Sequence, residues 1–188
     1  MSIRESIDPL DGDALVAALE QHSIEFDWDV TPPQVLLDGL GVEDEIRGPE
    51  VAQRVSIVAT VGVVREAMVT AQRRIAAAHR GIISEGRDQG SVVFPDADVR
   101  FFLIADASIR ARRRVSQLQA QGKHADLDTI EAEIRSRDEI DSGRAIGPLV
   151  CPDGAVEIDT TELTLHQVVD RLEHEVRHRV DAAVLASC

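Results

Sequence analysis

The chain has 188 residues, 44 % hydrophobic and 29 % charged, with a formal net charge of −14. That length buries one ordinary core, and so acidic a balance argues against a protein whose main task is to hold a nucleic-acid backbone, which demands a basic footprint. No run has the unbroken apolar length of a membrane span, "MSIRESIDPLDGD" holds no signal-peptide core, and Cys151 and Cys188 share no metal or CxxC spacing, so the expectation is a cytoplasmic protein with no membrane partner, resident metal or disulfide.

Asp11 or Asp13 can cap a first helix running to about Gln21, with Leu15, Ala18 and Leu19 on one face. Phe26, Trp28 and Val30 alternate with acids, and "QVLLDG" follows the Thr31-Pro32-Pro33 turn, the pattern of a small β ribbon. Gly48-Pro49 opens a helix with proline in its favoured first position, and a longer helix spans about Val63 to His79. Ile82 to Ser84 and Val99 to Ala105 read as two buried strands, joined by a turn that carries Gly86, Arg87, Asp88 and Gly90. Ala107 to Gln121 and Leu127 to Ile140 read as helices separated by "GKHAD". "AVEIDT" is a further strand, and Leu163 to Val180 a closing helix with Val169, Leu172, Val176 and Val180 as its apolar stripe. Strands alternating with helices predict a mainly parallel sheet, interrupted early by a ribbon and helices that look like a substrate-binding insertion.

Charge is unevenly placed along this order. Residues 1–45 hold twelve Asp or Glu against the single Arg4, whereas residues 100–144 hold nine basic residues against eight acidic ones. Nineteen of the 20 basic residues are arginine, Lys123 being the exception. In open α/β sheets ligands collect beyond the carboxyl ends of strands, which makes Arg87 and Asp88 candidates for gripping one, with a plain Arg–Asp ion pair as the alternative. Arg110, Arg113 and Arg114 lie at i, i+3 and i+4, so they share one helical face, as a ligand clamp or as a solvated face. Arg137, Asp141 and Arg144 are spaced by four and three, and Arg137 with Asp141 also fits an intrahelical pair. Arg65 is the one cation of a mostly apolar turn and could instead snorkel. Guanidinium forks in this number suit a phosphoryl group, which they orient and neutralise.

Four stretches in order, "DEIRGPEVAQRVSIVATVGVVREAM", "EGRDQGSVVFPDADVRFFLIA", "SRDEIDSGRAIGPL" and "AVEIDTTELTLHQVV", resemble the cytidylate kinases, the (d)CMP kinase branch of the nucleoside monophosphate kinases. The resemblance runs from about Asp38 to Val180. It implies an α/β fold of the P-loop NTPase kind, a parallel sheet flanked by helices with an NMP-binding insertion. Residues 1–80 would be the CMP-binding insertion and its helices, and 81–188 the C-terminal part of the kinase core with a lid at about 110–140. The implied activity is transfer of the ATP γ-phosphate to CMP or dCMP, with Mg²⁺ accompanying ATP. Carried over by position, Arg87, Arg137 and Arg144 would hold the acceptor phosphate as catalytic arginines. Ser56, Arg65 and Asp88 would face the cytosine, Asp141 the sugar hydroxyl, and Arg110, Arg113 and Arg114 would belong to the ATP lid. The implied partners are small nucleotides, with neither nucleic acid nor membrane.

One departure stands out. The family opens with a strand, a GxxxxGK[ST] loop and a helix, and no such loop can be drawn here, because Gln117 stands five residues before Gly122-Lys123 and His124 follows. The family's Ser, Tyr and Arg segment has no counterpart either, since the chain contains no tyrosine. The first core strand would lie between the strands at Ile82 and Val99, so its lack predicts exposed strand edges and a chain inactive by itself. A start placed too far downstream is the favoured explanation, and a degenerate, non-catalytic CMP-binding relative the alternative. "HEVRH", His174 to His178, matches the HExxH zinc pattern but is expected to face solvent on the last helix, with no third histidine after it. The Asp96/Asp98 and Asp126/Asp128 pairs read as turn and cap residues.

Overall fold

A computed structural model describes residues 1–143 and 147–186, with side chains as far as Arg179. The chain forms two compact units, Met1–Ile82 and a second from Ile83 onward.

In the first unit Asp11 caps α1 (Gly12–Gln21) by accepting the Ala14 N–H at 3.0 Å. The ribbon is three antiparallel strands, β1 (Ile24–Asp27), β2 (Gln34–Leu37) and β3 (Leu40–Gly41), with Ile24 opposite Leu37. Asp38 and Gly39, at φ 53° and 76°, make the two-residue turn between β2 and β3. An Asp-Gly pair adopts two successive left-handed residues at little cost, which fixes the hairpin register. A short α2 (Glu43–Ile46) precedes α3 (Pro49–Val58), which opens with Pro49 as expected, and α4 (Gly62–Ala77). α1 lies against α4 so closely that a Cβ on Gly12 would sit 2.7 Å from the Val63 side chain. Leu15, Ala18, Leu37, Val42 and Val64 are the buried apolar side chains of this unit. Trp28 stacks on Phe26 and on His79, with ring centres 5.3 and 4.5 Å apart.

The second unit is α/β. A five-residue π-helical turn, Gln89–Val93, leads to β4 (Phe101–Ile104), α5 (Ala107–Ala120), α6 (Leu127–Gly143), β5 (Val156–Asp159) and α7 (Leu165–Ala186). β4 and β5 pair in parallel, from Phe101 with Val156 to Ile104 with Asp159. Val93, Ala111 and Ile158 are almost fully buried. α5 packs on α6, whose first turn Asp126 caps by accepting the Thr129 N–H (2.9 Å) and hydroxyl (2.7 Å).

Two expectations need correction. Ile82 to Ser84 forms no strand: its backbone is irregular and Ile83 is fully exposed. A strand is held by a neighbour's backbone, and among the described residues none pairs with this segment. The stripe assigned to α7 is only partly covered. Val169 and Val176 are exposed, while Leu172, a member of the expected stripe, is half-buried together with Val168 and Glu175. Val180 lies beyond the described side chains.

Candidate active site

In the second unit the π-helical turn begins directly after Asp88, whose carbonyl accepts the Val92 and Val93 N–H groups at 2.9 and 3.2 Å. This turn holds Arg87 and Asp88 half-buried at its head. Its exit is tied by Arg100, which donates to the Gly90 carbonyl at 3.4 Å and to the Asp153 carbonyl at 2.8 Å. Gly90 sits in a tight space, since a Cβ would lie 3.2 Å from the Pro152 ring.

Arg87 meets α6. Its Nε stands 3.2 Å from Asp141 Oδ2 and its Nη1 3.9 Å from Asp138 Oδ1. Asp141 is 3 % exposed, and a carboxylate that deep keeps its charge only beside cations. Arg137 supplies a second one, its Nε 3.7 Å away. The i, i+4 pair expected from spacing is therefore present, as one arm of a larger cluster. Asp138, three residues before Asp141 and so on the same face, takes a two-point fork from Arg110, at 3.1 Å from Nη1 and 2.6 Å from Nη2. Arg110 Nε also donates to the Ala105 carbonyl just past β4, at 2.9 Å. Among the described residues three guanidiniums thus approach two carboxylates, a setting suited to an anion.

The other expected residues are distributed differently. Arg113 donates to the Thr160 hydroxyl (3.2 Å), the Thr160 carbonyl (2.5 Å) and the Leu163 carbonyl (3.0 Å), so it braces the link from β5 to α7 and does not join Arg110. Arg114 is exposed on α5. Arg144 lies outside the described residues. In the first unit Ser56 is half-buried on α3, and half-buried Arg65, in the first turns of α4, donates from Nη1 to the Ala59 carbonyl at the end of α3, 3.2 Å away. An open cleft of about 510 Å³ beside Pro32, Gly41 and Glu43 to Glu45 contains none of the expected site residues. His174 and His178 are exposed with rings 6.4 Å apart, and among the described residues no group of three His, Cys, Asp or Glu side chains is arranged to hold a metal ion. No single described helix is long and apolar enough to cross a membrane.

Sequence reasoning assigned no role to Asp138, although it stands beside Arg137 in a quoted stretch. The signal available was its spacing of three from Asp141. The two struts, Arg100 and Arg113, had no local signal, because their acceptors are main-chain carbonyls distant in sequence.

Comparison with known proteins agrees with the residues that carried the resemblance. The pattern describing cytidylate kinase matches residues 1–178. The cytidylate kinase of Corynebacterium glutamicum is 43 % identical over 175 residues, 93 % of this chain and 76 % of the relative. That of Corynebacterium diphtheriae is 45 % identical over 171 residues, 90 % and 74 % of the two chains. That of Caldanaerobacter subterraneus subsp. tengcongensis is 41 % identical over 175 residues, with 93 % and 76 % covered. Identity at this level across most of both chains, together with a parallel α/β unit that gathers arginines on one face of α6, makes this chain a member of the cytidylate kinase family, nucleotide-binding transferases of the nucleoside monophosphate kinase type.

Proposed function

We propose that the chain carries the acceptor half of a (d)CMP kinase: it binds CMP or dCMP so that a phosphate oxygen attacks the γ-phosphorus of MgATP, giving CDP or dCDP and ADP. The observation that carries this reading is the convergence of Arg87 and Arg137 on buried Asp141, with Arg110 and Asp138 alongside. Two anionic reactants repel each other, and guanidiniums already oriented by fixed carboxylates reduce that repulsion without reorganising during the reaction. In this reading Arg87, Arg137 and Arg144 grip the acceptor phosphate and Asp141 orders the ribose hydroxyl. Ser56, Arg65 and Asp88 recognise the cytosine, whose amine needs an acceptor and whose ring nitrogen and carbonyl need donors. Arg110, Arg113 and Arg114 serve the ATP side. Mg²⁺ enters as part of the donor substrate.

The 188 residues contain no GxxxxGK[ST]. That loop supplies the backbone N–H cradle, a lysine and a metal-binding hydroxyl, and losing one such donor costs about 10²- to 10³-fold in rate. By themselves, then, these residues bind CMP without useful turnover. Leu103 and Ile104 of β4 are exposed, where apolar strand segments in parallel α/β sheets are normally covered. The second reading, a CMP-binding module with no kinase activity, draws on Arg110 and Arg113, whose donors already brace this structure.

The test measures CMP binding by calorimetry, and phosphoryl transfer from MgATP to CMP and dCMP, for the 188-residue chain and for a version with a strand–GxxxxGK[ST]–helix segment fused ahead of residue 1. CMP binding by both with transfer only by the extended version is expected. Transfer by the short chain would overturn the donor-site part of the reading, and no CMP binding by either would overturn the whole of it.

A further inference from the structure

We infer that Asp138 is a positioning residue for the acceptor-phosphate arginine, holding Arg87 and Arg110 on one carboxylate so that their guanidiniums are set before an anion arrives. The inference rests on the acceptor-site reading given above and deepens it.

Four observations carry it. Arg110 is immobilised at three points, by Ala105 through Nε and by both oxygens of Asp138, so Asp138 is itself fixed between α6 and the first turn of α5. Arg87 reaches the cluster from a bend just ahead of the π-helical turn, outside any helix or strand. Its direction is therefore set by what its side chain meets, which is Asp141 at Nε and Asp138 at Nη1. Asp141 alone leaves the guanidinium able to rotate about its Nε contact, and the Asp138 charge, 3.9 Å from Nη1 and beyond hydrogen-bond distance, favours one of those orientations by Coulomb attraction. Asp138 also meets both the α5 arginine and the arginine after Gly86, so displacement of either is felt by the other.

Asp138 also carries a negative charge near an anion site, and Coulomb repulsion alone predicts that removing it tightens anion binding. Positioning predicts the opposite. Asp138→Asn keeps the shape but replaces one acceptor oxygen by an amide that faces guanidinium donors. Loss of one charge-assisted contact of this kind is worth about tenfold in affinity.

The experiment uses the whole chain and two readouts. Side-chain ¹⁵N–¹H spectra, with the Arg87 Nε–H resonance assigned by Arg87→Lys, report whether Arg87 is held in the absence of ligand. Calorimetric titrations with CMP, cytidine and inorganic phosphate report binding. For Asp138→Asn the expected result is a shifted or exchange-broadened Arg87 resonance, CMP and phosphate affinity lowered about tenfold, and cytidine affinity unchanged. Asp138→Glu is expected to recover most of the loss. Should Asp138→Asn fail to fold, Arg110→Lys breaks the fork that fixes Asp138 and is expected to lower CMP affinity about threefold with cytidine unchanged. An unchanged Arg87 resonance, tighter CMP binding, or equal losses for CMP and cytidine would each overturn the inference. Absence of CMP binding by the unmodified chain, with Arg87 still perturbed by Asp138→Asn, would defeat the nucleotide reading while leaving the placement of Arg87 by Asp138 standing.

Discussion

The two units handle charge in opposite ways. In the second, carboxylates are scarce at the cluster and arginines in excess: Arg87, Arg110 and Arg137 surround Asp138 and Asp141, one of them deeply buried. In the first, cations are scarce and carboxylates in excess. His22 at the end of α1 stands between Asp38 at Nδ1 and Glu5 at Nε2, 2.6 Å from each, and Arg4 is forked onto exposed Glu45. One arrangement holds positive charge ready for an anion, while the other holds negative charge around a group that takes up a proton. The formal charge of −14 does not separate the two units, so the contrast lies in how charges are clustered within each and not in their totals.

The largest effect that can break this contrast is expected at Asp141. Asp141→Ala leaves Arg87 and Arg137 without their shared buried partner. A buried pair broken from one side costs about 3–5 kcal/mol, and because both arginines are partly exposed and can rehydrate, about 2 kcal/mol is expected here. In a chain of this size that lowers the melting temperature by about 4–8 °C. Scanning calorimetry checks it, and an unchanged midpoint would mean that the cluster contributes to ligand binding alone. Arg113→Ala comes next. It withdraws donors from two carbonyls and a hydroxyl at the β5–α7 link, where Thr160 is buried, at an expected cost of about 1–2 kcal/mol. Arg113→Lys should not restore it, because a single ammonium cannot reproduce a fork that spans Thr160 and Leu163. Full recovery with lysine would make the strut a matter of charge.

Much of this was legible in the sequence where the cause was local. Asp11, Asp126 and Pro49 begin their helices as their chemistry predicts, and "QVLLDG" gives the hairpin because Asp38-Gly39 can occupy two left-handed positions. Where the cause was distant, the reading failed or stayed silent. Ile82 to Ser84 has the composition of a strand, yet a strand exists only with a partner, and composition carries no information about one. Of the α7 stripe Leu172 is half-buried and Val169 and Val176 are not, because an apolar stripe fixes a face only when something packs on it. Spacing brought out Arg137 and Asp141, which share a helix. It could not show that Arg110 belongs with Asp138, 28 residues away, while Arg113 turns to Thr160.

The acidic side of the contrast is sharpened by pH. Hydrogen bonds to Asp38 first and Glu5 second raise the His22 pKa above its ordinary 6.5. With both ring nitrogens facing carboxylates, both must donate, which only the imidazolium does. A raised folded-state value means that the contribution of His22 is whole below pH 6.5 and is lost as pH rises through the higher folded value. Asp38 runs the other way: the Ser23 N–H first and His22 second hold it below its ordinary 3.8, so its contribution is whole above that pH and fades as pH falls through the lower folded value. The latch is therefore complete between about pH 4 and pH 6.5. Trp28, the one tryptophan of the chain, lies in the same unit and reports its unfolding by fluorescence. His22→Gln is expected to remove the decline in stability above pH 6.5 that the unmodified chain shows, and an identical decline in the variant would assign it to another group.

The smallest effect is expected at Arg135, one turn before Asp138 and Glu139 on the same α6. Arg135 Nε and Nη2 both donate to the single oxygen Glu131 Oε1, at 3.1 and 2.6 Å, the same distances at which Arg110 meets the two oxygens of Asp138. The difference lies in the surroundings: the Arg135 side chain is 62 % exposed, that of Arg110 32 %. Water competes for an exposed guanidinium and salt screens it, so an i, i+4 pair of this kind contributes about 0.3–0.5 kcal/mol. Arg135→Ala should therefore shift urea denaturation at the limit of detection and vanish in high salt, leaving CMP affinity unchanged. A loss at Arg135 matching that at Arg113 would mean that contact distance alone, whatever the exposure, sets the strength of these contacts, and the contrast between the two units would then reduce to a count of ion pairs.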